Sequence, residues 1–165
     1  MYKVGQYVVH PGQGVCKVEA IEEDPQATYM LMPVGGRHPM RISFPVASEG
    51  RLRPVIGRKQ AEQIIGEYTE LPLEELSSRS NALEEERFKT ELRRGSCRDA
   101  VRIAKTFRTR IEQVRASNKR PPVAYERIFK QASERSLQEL AVAMGVSEDD
   151  VAQLLRASEE DARNN

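Results

Sequence analysis

The chain contains no tryptophan, two histidines and two cysteines in 165 residues, and only 5% of it is aromatic. Each scarcity narrows the chemistry. Cys16 and Cys97 lie in unrelated segments without metal-ligand spacing, so they read as small buried hydrophobes of a reducing compartment, with no disulfide scaffold. No stretch approaches the roughly 18 consecutive apolar residues of a membrane helix. A signal peptide is left out on the same ground, and a soluble cytoplasmic protein without membrane contact is expected. His10 and Cys16 form the one conceivable nucleophile and base pair, but His10 is expected to pack near a strand end. The glutamates 84–86 could bind a cation only if they converged, and consecutive helix residues diverge by about 100°, so they read as a solvated face. No catalytic residue, metal or cofactor is assigned, and no enzyme is expected.

What the chain does have is charge, which makes up 31% of its residues and nearly cancels to +1 overall. Counted by segment it does not cancel locally: residues 1–60, 61–92, 93–135 and 136–165 carry +3, −6, +9 and −5. The +9 block is a candidate footprint for a polyanion, and its alternative is a solvated helix face.

The first 57 residues are rich in glycine, proline and β-branched residues. They hold five strand candidates, "QYVV", "VCKVEAI", "TYMLM", "MRISFP" and "RLRPVI", separated by turn signals, the pattern of a small antiparallel barrel. "HPGQGVCKVEAI" raises the alternative of a phosphate-cradling loop. Such a loop needs a helix behind it, and strand-like sequence follows instead, so Pro11 to Gly14 read as a turn.

From Arg58 the pattern becomes helical. "KQAEQIIGEY" and "LPLEELSS" are short pieces, and "NALEEERFKTELRRG" is longer, with Leu83, Phe88 and Leu92 at helical spacing and Gly95 as its cap. Ser96 and Asp99 form a capping box for a helix reaching about Ala116. Its apolar face carries Ala100, Ile103, Ala104, Phe107, Ile111 and Val114, and its opposite face a stripe of Arg98, Arg102 and Lys105. After the "SNKRPP" loop a helix is predicted from Val123 to the Gly145 stop, then a short one capped by Ser147 and Asp150. The two units are 1–57 and 58–165. The last two helices, "LQELAVAMGVSEDDVAQLL", resemble a helix-turn-helix, yet the candidate recognition helix begins with three carboxylates that DNA phosphates would repel.

In this order the motifs resemble those of the CarD family of bacterial transcription regulators, including its CdnL-like members. "VGQYVVHPGQGVCKVEAI" is similar to the family's opening "VGD.VVYPGQGVG.V..I", and "MRISFP" to its "MRI.IP". "GRLRPVI" is similar to its "VG.R..I", and "SLQELAVAMGVSEDDVAQLL" to its closing helices. The resemblance implies an α+β protein: a Tudor-like, SH3-like antiparallel barrel followed by an all-helical domain of about five helices. It further implies that the barrel binds the RNA polymerase β subunit, with Arg41, Ser43 and Pro45 as the facing residues. The helical domain is implied to touch promoter DNA without sequence preference, modulating the open promoter complex. Arg93, Arg94, Arg98, Arg102 and Lys105 are the expected DNA contacts, and a monomer is expected.

One departure stands out. Where the family's helical domain carries a tryptophan followed by two basic residues, alignment back from Gly95 places Asn81, then Ala82 and Leu83. Two other functions therefore stay open: a protein-only adaptor without wedge activity, and a helix-turn-helix repressor.

Overall fold

A computed structural model describes residues 1–75 and 80–165. Its N-terminal unit is a five-stranded antiparallel sheet of β1 (Tyr7–His10), β2 (Gly14–Glu22), β3 (Thr28–Pro33), β4 (Ile42–Pro45) and β5 (Arg53–Pro54). The strands lie in the order β4-β3-β2-β1-β5. A 3-10 segment, Val46–Arg51, carries the chain from the β4 edge back to β1, where Val9 faces Arg53. Five antiparallel strands followed by helices are what the strand spacing and the resemblance predict. Alternation sets the faces: Val8, Cys16, Val18, Tyr29, Leu31, Phe44 and Leu52 form the barrel core, while Lys17, Arg41 and Ser43 point outward.

The "HPGQG" segment is the β1–β2 turn, closed by the His10–Gly14 pair. The His10 ring organises it: Nδ1 accepts the N–H groups of Gly12 at 3.0 Å and Gln13 at 3.1 Å, while the ring packs edge-on against Phe44 at 5.5 Å. His10 thus holds a turn, as the strand-end reading expects.

Among the described residues five α-helices follow: α1 (Arg58–Gly66), α2 (Asn81–Arg94), α3 (Cys97–Ala116), α4 (Val123–Met144) and α5 (Glu148–Asn164). The capping boxes at Ser96–Asp99 and Ser147–Asp150 both form, and Gly145 takes the left-handed φ of 68° that ends α4. The last helix runs 17 residues, longer than the short helix predicted. Just before "LPLEELSS" Tyr68–Glu70 forms a 3-10 turn, and the described part of that stretch, residues 71–75, is irregular; its remainder lies outside the described residues.

The long helices α3 and α4 are the spine. On one side α2 brings Phe88 and Leu92 onto Ile103, Phe107 and Ile128. On the other, α1 and α5 bring Ala61, Ile64 and Val151 onto Val101 and Leu140. Two details of α2 differ from the sequence reading. Its buried positions are Glu84, Phe88 and Leu92, a clean i, i+4, i+8 stripe, whereas Leu83 is 65% exposed. Glu84 belongs inside because Arg110 of α3 reaches it at 3.2 Å. Gly95 is extended, with φ −81°, and is no left-handed cap. A Cβ there would sit 2.6 Å from the Glu91 carbonyl oxygen, so close approach explains the glycine.

Candidate polymerase and nucleic-acid surfaces

β4 is the end strand of the sheet, bonded to β3 alone. Its register sets Ile42 against Leu31 and Phe44 against Tyr29, which turns Ser43 and the flanking Arg41 outward. Arg41 reaches across the sheet to Glu19 at 2.7 Å, and Ser43 lies beside Met30 with Oγ to Sδ at 3.7 Å. Pro45 closes the strand opposite Thr28 and is partly buried. The fold therefore brings Arg41 and Ser43 together on one accessible face. Sequence reasoning passed over the methionines beside them: Met30 and Met32 alternate outward from the core positions of β3, and Met40 is 79% exposed. Thioethers make an adaptable apolar contact surface, and their period-two spacing was the available signal.

The basic stripe of α3 forms on one face as the helical wheel predicts, but its charges are engaged within the fold, Arg98 in a surface pair and Arg102 and Lys105 more deeply. Arg98 pairs with Glu67, and Arg102 pairs with Glu74 and reaches Asp99 at 3.4 Å. Lys105 donates to the carbonyls of Tyr68, Thr69 and Leu71 at 2.8–3.0 Å, closing the end of the 3-10 turn. Burial, and then the nearby Arg108, lower the pKa of its ammonium. The face expected to meet solvent or phosphate carries partners from within the chain, for a physical reason. The acidic block 61–92 folds against the basic block 93–135, and Glu67, Glu74, Glu84 and Glu85 meet Arg98, Arg102, Arg110 and Arg127. Charge segregation along the chain becomes neutralisation in space. Arg93 and Arg94, at the exposed end of α2, make no ion pair among the described residues.

Asn81 is the first residue of α2 and is exposed, as are Ala82 and Leu83. The nearest aromatic, Phe88, is fully buried and stacks edge-on against Phe107 at 5.0 Å. At the far end, the first turn of α5 presents Glu148, Asp149 and Asp150, the acidic start that argues against groove entry.

Residues 2–56 match the CarD-like/TRCF RID domain. Over these residues the chain is similar to that domain, and the N-terminal unit is called the RID domain below. The match closes just ahead of α1 and does not extend over the helices. No curated protein matches the chain.

The RID domain is joined to the helices by polar side chains within about one turn of α4. Glu139, 4% exposed, takes both terminal nitrogens of Arg53 at 2.6 and 2.7 Å and the Ile56 N–H at 3.0 Å. Arg135 donates to the Pro11 carbonyl at 2.6 Å and the Leu92 carbonyl at 3.2 Å. Gln138 lies between two RID glycines: a Cβ on Gly14 would stand 2.9 Å from its Oε1, and one on Gly35 2.2 Å from its Nε2. Gly14 also has a φ of 75°. The glycines of "PGQG" and "VGG" thus serve both a turn and the approach of α4, a role not readable from the turn chemistry alone. Cys16 and Cys97 are free and buried beside this junction, and burial raises both thiols, Cys16 to about 11. Thiols held so far above neutrality are not nucleophiles. Among the described residues no group of histidine, cysteine or carboxylates is placed to hold a metal ion, and no helix is long and apolar enough to cross a membrane.

Proposed function

We propose that this protein is a non-enzymatic transcription regulator that docks on the RNA polymerase β subunit through its RID domain. The observation that carries the reading is the RID match over 2–56 together with the accessible β4 face of Arg41 and Ser43. An end strand offers backbone hydrogen bonds to an incoming strand, while the outward side chains set partner choice by charge and fit. Its helical unit, held against the RID domain by Arg135, Gln138 and Glu139, is placed by docking and contacts promoter DNA through phosphates without reading bases. In this way it modulates the open promoter complex.

A second reading is favoured by one observation: Arg98, Arg102 and Lys105 are engaged within the fold. On that reading the helices bind protein only, and the molecule is an adaptor. Capture of core RNA polymerase by the immobilised chain, with and without promoter DNA, separates the two. Regulator behaviour requires capture in both cases and retention of DNA beyond what polymerase alone retains. Capture with no added DNA retention selects the adaptor, and no capture refutes both.

A further inference from the structure

Where the RID domain meets the corner between α2 and α3, the surface forms a cleft of about 520 Å³. One wall is Pro11 and the 50–53 segment of the RID domain, and the other is Arg93, Arg94 and Gly95. Four arginines line it, and only Arg53 has a carboxylate, Glu139. Arg51, Arg93 and Arg94 are exposed and make no ion pair among the described residues. Beneath them Arg135 bonds to two carbonyl oxygens and to no carboxylate.

The nearby acids are committed elsewhere. Asp99 caps α3 and reaches Arg102, Glu91 faces Arg87 and Arg102, and Glu49 accepts the Tyr29 hydroxyl. The positive field is felt inside the protein. After burial itself, Arg93 and Arg53 disfavour the charge on Arg135, and Arg135 and Arg51 disfavour protonation of His10. Unlike the α3 stripe, this cluster is concave, uncompensated at three of its four arginines and shared by both units. A concave surface of one sign focuses the potential on an incoming anion. Among the described residues no aromatic ring or side-chain acceptor lines the cleft, so what it offers an incoming group is positive charge and N–H donors, which suit phosphate oxygens.

We propose that this cleft seats the phosphodiester backbone of duplex DNA, with Arg51 from the RID domain and Arg93 and Arg94 from α2 as the phosphate contacts. The inference rests on the DNA-contacting reading above and adds to it a site that neither unit completes alone. Docking of the RID domain then fixes the path of the duplex, because one wall of the phosphate site is part of the docking unit.

The test is fluorescence anisotropy of the full chain with a labelled mixed-sequence duplex over a salt series. Inorganic tripolyphosphate serves as competitor, and polymerase capture is measured in parallel. With three phosphates neutralised, log affinity should fall against log salt with a slope near −3, and Arg51→Gln should reduce it to about −2 while weakening binding about tenfold at about 50 mM salt. The Arg93→Gln/Arg94→Gln variant should leave a slope near −1. Arg115→Gln/Lys119→Gln, at the other end of α3, should bind as wild type does. Tripolyphosphate should compete only weakly with the duplex. Wild-type affinity and slope in Arg51→Gln would overturn the shared cleft, while loss in the α2 variant alone would leave DNA contact by the helical unit standing. Tight tripolyphosphate binding without duplex binding would overturn the proposal in favour of a free polyphosphate site. Polymerase capture that survives in every variant shows that a lost duplex signal is not a lost fold.

Discussion

His10 shows how one side chain can link a turn to solution conditions. Its Nδ1 accepts two backbone N–H groups, which only the ring unprotonated at that nitrogen can do. Burial, then Arg135 and Arg51, hold its pKa below the ordinary 6.5. A group whose folded pKa is depressed binds fewer protons folded than unfolded, so its contribution is fully present above 6.5 and is lost as pH falls through the folded value. Urea midpoints should therefore drop more for wild type than for His10→Gln between about pH 7.5 and 5.5. Equal drops would remove His10 from the account. At Asn81 the expectation is a gain. An indole at a bubble edge contributes about 1–3 kcal/mol per stacked base, and Phe88 cannot substitute because it lies in the core. Asn81→Trp should lengthen open-complex half-life in a competitor challenge, whereas Phe88→Ala should act through stability, costing about 3–5 kcal/mol. A wild-type half-life matching a tryptophan-bearing relative, abolished by Phe88→Ala at unchanged stability, would contradict this.

Among the elements, strands and caps were legible because their signals are local. Alternation in "TYMLM" and "MRISFP", the Ser96–Asp99 and Ser147–Asp150 boxes and the Gly145 stop depend on neighbours within four residues. The inner face of α2 was not legible. Leucine outranks glutamate on any hydrophobic pattern, and only the partner, Arg110 26 residues on, makes Glu84 an inside residue. The same distance effect hid the fate of the α3 stripe, whose charges are matched by an acidic segment read separately. The α4 junction is the most informative element to perturb. Gly35→Ala would place a methyl against Gln138 and should cost about 1–3 kcal/mol, and adding Gln138→Ala should recover most of it, since the Gln138 Oε1 has no hydrogen-bond partner. Strict additivity in that cycle would show that the two do not meet. Glu139→Ala should cost about 2–3 kcal/mol, less than a fully buried pair because Arg53 keeps a third of its side chain in water.

At the scale of the molecule, the account is of a docking unit and a helical unit held at a set angle by Arg53–Glu139, Arg135–Pro11 and Gln138 between two glycines. The strands of the N-terminal unit were readable from their motifs, and outward positions follow from alternation, while the strand order came from the fold. The cationic cleft was readable only as a net charge, because which cations stay free depends on how the acidic and basic blocks fold together. The central claim is that the outward face of β4 docks on polymerase. Its most direct measurement is the equilibrium affinity of the full chain for core RNA polymerase, compared between wild type and Arg41→Glu at matched circular dichroism. Arg41 is exposed and its pair with Glu19 lies at the surface, so the substitution should spare the fold while reversing the charge offered to the partner. The account predicts a loss of tenfold or more for Arg41→Glu, corresponding to at least about 1.4 kcal/mol, with the melting temperature nearly unchanged. Unaltered affinity in Arg41→Glu would contradict it and place the docking surface elsewhere on the RID domain.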